Sequence, residues 1–456
     1  MKYRYSLIVL LTFFINLLFA QQDTLKVMAY NVLHYGDGCQ GSNTFLHKNL
    51  KAIIQYTSPD VLGLVKAQAI RINASDFDGI SHIGFADSII KFALDSATYK
   101  GKYAYCTLTR VSNDADGDMD ILFYNQSKLG FVSVTNLCSY QEDFDLYKLY
   151  YKDPYVSSTH DTTFIYIVLN HTVSGSSTTD RDNQDTTVIK SLKTFFYHLP
   201  NLISMGDFNT HTSTENGYEL YTATSDTSFI FDDPPFYPDG KFTYPQAWSN
   251  KISCSGYLNT STRATNIPNG CGASGGAKDW YEHIFLSKWI TGNIDFMKYV
   301  TNSYQTIGND GKHFNSSIND STGDPKNTSA PSNVINALFQ LSDKYPIMVK
   351  LAVTYDSLGN GPADPVVNGI NKIIALQDKI EVNNPVHDFA DIHFPPELIG
   401  QKASIHWYDI SGRLVNSKEF SIITSLMNIE IHFAPGIYML NIRSGTFSVT
   451  RKIVKE

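Results

Sequence analysis

Leu202-Ile203-Ser204-Met205-Gly206-Asp207-Phe208-Asn209 is a short apolar run that stops on a carboxylate and an amide. A run of this length, ended by glycine, reads as a buried strand. The same build recurs: Val27-Met28-Ala29-Tyr30-Asn31-Val32-Leu33 carries an Asn near its end, and Val168-Leu169-Asn170-His171 ends on a His. Leu25–Val32, Phe164–Leu169, Ile284–Leu286 and Ile347–Val353 are further strand candidates, rich in β-branched, aromatic or other large apolar residues. Amphipathic helical stretches fall between some of them, at Asn49–Tyr56 and Val188–Tyr197. Strands mixed with helices predict an α/β domain of packed sheets over residues 21–354. Two long polar stretches, Ser255–Gly276 and Asn302–Asn333, read as ordered surface loops because aromatics or Cys interrupt them.

The chain has 456 residues, 42% hydrophobic and 18% charged, enough for a sizeable core and too apolar for wholesale disorder. Its net charge of -8 advertises no extended basic surface for nucleic acid; a local basic groove does not show in such a sum. Lys2 and Arg4 precede an apolar run from Leu7 to Ala20. That run is shorter than the about 20 residues a spanning helix needs, so residues 1–20 read as a cleaved secretory signal peptide. No other run approaches membrane length, so the mature chain has no transmembrane segment. Five Cys permit one or two disulfides after export and leave at least one thiol over; the pairing cannot be deduced. No CxxC pair suggests zinc.

Tyr355–Asp364, reading YDSLGNGPAD, opens a linker over 355–372. Residues 373–456 then change to short alternating strands, with turns at Ser411-Gly412-Arg413 and Ala434-Pro435-Gly436, as in a small all-β sandwich. Val382-Asn383-Asn384-Pro385, Trp407-Tyr408-Asp409-Ile410-Ser411-Gly412-Arg413-Leu414-Val415, Pro435-Gly436-Ile437-Tyr438 and Arg451-Lys452-Ile453-Val454 occur in that order. This tail resembles the C-terminal sorting domain of the type IX secretion system of the Bacteroidota. The resemblance implies the type IX machinery as partner and delivery through the periplasm and outer membrane to the cell surface or medium.

Five segments of the main domain carry a second resemblance. They are the strand bearing Asn31, Ser58-Pro59-Asp60-Val61-Leu62-Gly63-Leu64-Val65-Lys66, the strand ending in His171, Gly206-Asp207-Phe208-Asn209, and Ser342-Asp343-Lys344-Tyr345-Pro346. In this order they look like the endonuclease/exonuclease/phosphatase superfamily. The resemblance implies a four-layer α/β sandwich, two packed sheets flanked by helices, that hydrolyses phosphodiesters or phosphate esters. It implies roles residue by residue. Asn31 matches the metal-site Asn and His171 the His on the scissile phosphate. Asp207 and Asn209 match the pair that orients water and phosphate, and Asp343 matches a late Asp supporting metal or the catalytic His. Mg²⁺ or another divalent cation is the implied cofactor, since oxygen ligands at strand ends suit it. A phosphate-containing substrate or ligand is implied; nucleic acid is one candidate.

Two positions depart from that pattern. Lys66 stands where the family has a metal-binding Glu, and Lys344 where it has the His of Ser-Asp-His. A protonated Lys has no lone pair to offer a metal. Three readings stay open: a phosphate- or anion-binding relative without catalysis, a hydrolase with altered chemistry, or a carboxylate supplied from elsewhere. For the last, the loop with Asp114, Asp116, Asp118 and Asp120 is the candidate, but it lacks the Glu of an EF-hand and reads as a solvated turn. In Asp279-Trp280-Tyr281-Glu282-His283, strand alternation lets only one of Glu282 and His283 face the cleft. Glu282 is the expected one, as a metal ligand.

Overall fold

The structure is a computed structural model that describes residues 21–68, 84–95, 100–109, 118–140, 142–156, 162–175, 178–242, 248–249, 271, 277–294, 296–320, 326–355, 380–395, 398–444 and 447–456. The expected signal peptide, and the expected linker apart from Tyr355, lie outside them. No helix among the described residues is long and apolar enough to cross a membrane. The chain divides into two compact units, Met1–Pro362 and Ala363–Glu456.

The larger unit holds two sheets. The first contains β1 (Gln21–Tyr35), β2 (Val61–Gln68), β3 (Tyr103–Tyr105), β4 (Asp118–Asn125), β11 (Met297–Tyr299), β12 (Gln305–Thr306) and β13 (Ile347–Tyr355). Its order is β11-β13-β1-β2-β4-β3, with β12 also on β13. The second contains β5 (Leu129–Cys138), β6 (Phe144–Tyr151), β7 (Phe164–His171), β8 (Leu202–Asp207), β9 (Phe231–Asp232) and β10 (Glu282–Ser287), in the order β5-β6-β7-β8-β10-β9.

Each sheet has one parallel pair, and each pair is bridged by a helix. Helix Asn43–Thr57 joins β1 to β2, and helix Thr179–Phe195 joins β7 to β8. Parallel strands need such a crossover. Ser42 caps the first helix through Phe45 N–H, and Ser58 closes it in the left-handed region at φ 46°. Its apolar stripe (Leu46, Leu50, Ile53, Ile54) packs into the same core as that of helix Ser332–Leu341. Val188, Ile189 and Leu192 of helix Thr179–Phe195 pack with Phe144, Val168 and Leu202 of the second sheet.

Between the sheets the side chains interlock. A Cβ at Gly63 of β2 would stand 2.4 Å from Leu169 of β7 and 2.9 Å from Met205 of β8. A side chain at this position would displace those two terminal methyl groups. The result is the four-layer α/β sandwich expected. One disulfide, Cys39–Cys271, links the segment after β1 to residues before β10; Cys106 and Cys138 are buried free thiols, and Cys254 lies outside the described residues.

The smaller unit is all-β. It has a three-stranded sheet of β14 (Glu381–Val382), β15 (Phe389–His393) and β18 (Leu426–Glu430). A four-stranded sheet runs β17 (Leu414–Ser421), β16 (Lys402–Asp409), β19 (Gly436–Ser444), β20 (Phe447–Lys455). Their alternate residues, among them Ile392, Ile429, Ile405, Trp407, Leu440 and Ile442, form one core. Gly412, at φ 82°, makes the turn between β16 and β17.

Candidate functional site

The register brings the chemistry together. In the parallel pair β7–β8, His171 stands opposite Asp207, and in the antiparallel pair β8–β10, Asp207 stands opposite Glu282. Residues directly opposite share a face, so these three side chains lie in a row across three strands. They face the first sheet: Asn31, near the end of β1, donates from Nδ2 to Asp207 Oδ2 at 2.8 Å. Gly206 precedes the Asp at φ 140°, where a Cβ would strike the Asn170 carbonyl oxygen at 2.0 Å, so only glycine lets β8 turn here.

Asp207 is 1% exposed. Its Oδ1 accepts the Asn209 N–H at 2.9 Å. Asn209 holds φ 48° and donates from Nδ2 to the Thr172 carbonyl at 2.7 Å. Burial alone would raise the Asp207 pKa, but Lys344, His171 and the bonds from Asn31 and Asn209 overcome it and hold the pKa below the ordinary value.

Lys344 is the centre of charge. Its Nζ lies 3.1 Å from Asp343 Oδ2 and 3.7 Å from Asp207 Oδ2, with the side chain 9% exposed, and 5.7 Å from the centre of the Tyr281 ring. Burial opposes its charge, but Asp343, Asp207 and Glu282 outweigh burial and raise its pKa above the ordinary value. It is a fixed cation at neutral pH, neither base nor nucleophile. The Ser342 hydroxyl donates to the Asn31 carbonyl at 2.7 Å and accepts the Lys344 N–H at 3.1 Å, fastening this segment to β1. Asp343 Oδ1 and the Tyr30 hydroxyl are buried with no hydrogen-bond partner among the described residues. The Asp343 charge acts on Tyr30.

His171 is buried and its pKa falls to about 4, first from burial and then from the positive charge of Lys66. It is therefore neutral at pH 7. The negative charges of Asp207 and Asp118 pull its pKa the other way, and Lys344 adds to the lowering. Thus both departing lysines act on the same imidazole. Lys66 sits at φ 63°, and Leu33 and His34 at φ 45° and 53°. Left-handed backbone at three non-glycine residues is uncommon and gathers at functional sites. The Lys66 N–H donates to Asp120 Oδ1 at 3.1 Å, and His34 Nδ1 lies 2.8 Å from Asp118 Oδ2.

The residues present do not fit a divalent cation. The Asn31 side-chain oxygen accepts the Leu33 N–H at 2.9 Å, and its nitrogen is turned to Asp207. The ammonium of Lys344 already lies between Asp343 and Asp207, where a second cation meets Coulomb repulsion. Among the described residues no group of three or more His, Cys, Asp and Glu is arranged to hold a metal ion.

Glu282 and His283 point to opposite faces, as strand alternation requires. Glu282 is fully buried on the side of Lys344, whose pKa it helps to raise. His283 turns into the second core, stacked at 5.0 Å on Phe285, with Nδ1 3.3 Å from Asp233 Oδ2. The acidic loop needs correction. Asp114 and Asp116 lie outside the described residues, but Asp118 and Asp120 belong to β4 and not to a solvated turn. Burial raises the Asp120 pKa well above the ordinary value, with Glu142 adding to it. His34 and Tyr30 are the site residues that sequence reasoning missed. The signal was their position, three residues and one residue from Asn31 on the same strand.

Residues 384–456 match the secretion system C-terminal sorting domain. The chain therefore carries a type IX address and is exported to the cell surface or medium. No curated protein matches it. Solved structures with a similar fold include an endonuclease/exonuclease/phosphatase family protein of Bacteroides thetaiotaomicron, at 13% identity over 74% of this chain and 97% of that one, TM-score 0.41. The catalytic domain of human Nocturnin is similar at 15% identity over 73% and 97%, TM-score 0.41. A mannosyl-6-phosphatase of the same Bacteroides species is similar at 14% identity over 72% and 99%, TM-score 0.40.

Proposed function

We propose that the exported main domain is a phosphate-ester-binding protein of the endonuclease/exonuclease/phosphatase type, with the Lys344 ammonium as its resident cation and with hydrolysis weak or lost. The observation that carries this is Lys344 Nζ at 3.1 Å from Asp343 and 3.7 Å from Asp207, in the place the resemblance gives to a catalytic His beside a metal. Lys66 adds a second positive charge near His171. A tetrahedral oxyanion could meet both ammonium groups. Its ester or acid hydroxyl would supply a donor for Asp343 Oδ1, and its oxygens an acceptor for the Tyr30 hydroxyl, two of the buried groups without a hydrogen-bond partner among the described residues.

A second reading rests on His171. An imidazole neutral at pH 7, beside the Asp207–Asn209 pair, has the protonation state of a general base. On that reading the domain hydrolyses esters without metal. Titration calorimetry with inorganic phosphate and with Mg²⁺, together with hydrolysis of bis(p-nitrophenyl) phosphate with and without EDTA, separates the cases. Phosphate binding without Mg²⁺ binding or turnover is the expected result. EDTA-resistant turnover favours the second reading. Mg²⁺-dependent turnover in the ordinary enzymic range of about 1–10³ s⁻¹ refutes both.

A further inference from the structure

At the opposite end of the first sheet lies a cleft of about 640 Å³ whose lining includes Lys26, Lys102, Lys128 and Lys350. All four are half-buried, although lysine is ordinarily among the most exposed residues. Lys26 lies in the first half of β1, level with the start of β2, and Asp60 just before β2, whereas Asn31 and Lys66 lie toward the far ends of the same strands. Five residues separate Lys26 from Asn31, which is about 16 Å of strand. The cleft is therefore distinct from the strand-end site above.

Its charge is unbalanced. Asp60 is the single carboxylate among the described residues of the lining, and the frame occupies it: Oδ1 accepts Asn125 Nδ2 at 2.8 Å and Oδ2 accepts the Lys26 N–H at 3.1 Å. Lys128 Nζ takes Asp23 at 3.0 Å and lies 3.6 Å from Asp60. Lys26 Nζ donates to the Thr57 carbonyl at 2.8 Å, a neutral partner. Neither Lys26 nor Lys350 forms an ion pair with a carboxylate of the described residues. These two lysines are also directly opposite each other on β1 and β13. Like charges at such a pair are destabilising. A sheet that keeps them half-buried has a use for a negative partner.

We propose that this cleft is a second anion site, which binds the oxyanion head of a small phosphate or sulfate monoester. Several ammonium groups around one volume suit a compact anion. Among the described residues no aromatic side chain lines the cleft, so they offer no stacking platform of the kind on which single-stranded nucleic acid rests. Lysine binds such anions as a point charge without bidentate geometry, so sulfate and phosphate share the site.

The test uses the full exported chain. Calorimetry is run with inorganic phosphate, inorganic sulfate and glucose 6-phosphate on the parent, on the double variant Lys102→Ala with Lys350→Ala, and on Lys344→Met. Acetylation of lysines, read by mass spectrometry, reports which side chains each anion shields. Circular dichroism confirms that each variant is folded. The expected result is shielding of Lys26, Lys102 and Lys350 by the anion. That binding persists in Lys344→Met and weakens about tenfold or more in the double variant. It also weakens at high salt. Glucose 6-phosphate binding at least as well as free phosphate assigns an ester ligand, and tighter inorganic sulfate or phosphate assigns the free ion. Unchanged binding in the double variant, or equal acetylation of these lysines with and without all three anions, overturns the proposal. Because Lys344→Met removes only the other site, failure here is distinguishable from failure there.

Discussion

Replacing Lys344 by Met keeps an unbranched side chain, one atom shorter, and removes its charge. The ammonium lies 3.1 Å from Asp343 and 3.7 Å from Asp207, and Glu282 adds to the field that holds its proton. Without it, three buried carboxylates face one another with no cation among them. Removing one partner of a buried ion pair costs about 3–5 kcal/mol. A domain of this size shifts its melting midpoint by about 2 °C per kcal/mol, so Lys344→Met should melt roughly 6–10 °C below the parent at pH 7. The loss depends on pH in a definite sense. In the parent, Asp207 has a depressed pKa, so its contribution is present above the unfolded value near 3.8 and is lost only as pH falls below that. In the variant, burial acts unopposed by Lys344 and the carboxyl pKa rises. A raised folded pKa makes the variant gain stability as pH falls toward the unfolded value. The gap between the proteins is therefore widest near pH 7 and narrows toward pH 4.5. Calorimetric melts at both pH values check this. A variant as stable as the parent at pH 7, or a gap equal at both, refutes the charge balance described.

Three further outcomes are expected. His171 has a folded pKa of about 4 against an ordinary 6.5, so the unfolded chain binds its proton first and the domain loses up to about 3 kcal/mol as pH falls from 6.5 to 4. His171→Gln should flatten that slope in urea melts, and an unchanged slope contradicts it. The double change Lys66→Glu with Lys344→His should create measurable Mg²⁺ heat in calorimetry, each single change giving less; no gain in the double variant argues against the family correspondence at these positions. Deleting residues 373–456 should leave the protein in the periplasm by cell fractionation, and a truncated chain reaching the medium at parental levels contradicts the role of the tail.

The strands were legible because their apolar runs are local facts. Leu25–Val32, Phe164–Leu169 and Ile347–Val353 each fall inside the strand they predict. Helix Thr179–Phe195 begins well before the amphipathic stretch at Val188, because its first two turns are polar and show no apolar period. The residues of the site were legible as positions, but their partners were not. Asn31 and Asp207 are 176 residues apart, and only the packing of two sheets brings them to 2.8 Å. Lys66 and Lys344 were visible as departures from a pattern. That one is locked between two carboxylates while the other holds a left-handed backbone is a matter of tertiary packing, which no local pattern encodes.

The Cys39–Cys271 bond closes a covalent ring of the chain, since its two ends are 232 residues apart. Between those cysteines lie β2 through β9, with Lys66, His171 and Asp207 among them. A protein delivered outside the cell meets proteases there. One cut anywhere inside the ring opens it without releasing a fragment. The nicked molecule still migrates as a single species until a reductant is added, because the bond keeps the two pieces covalently joined.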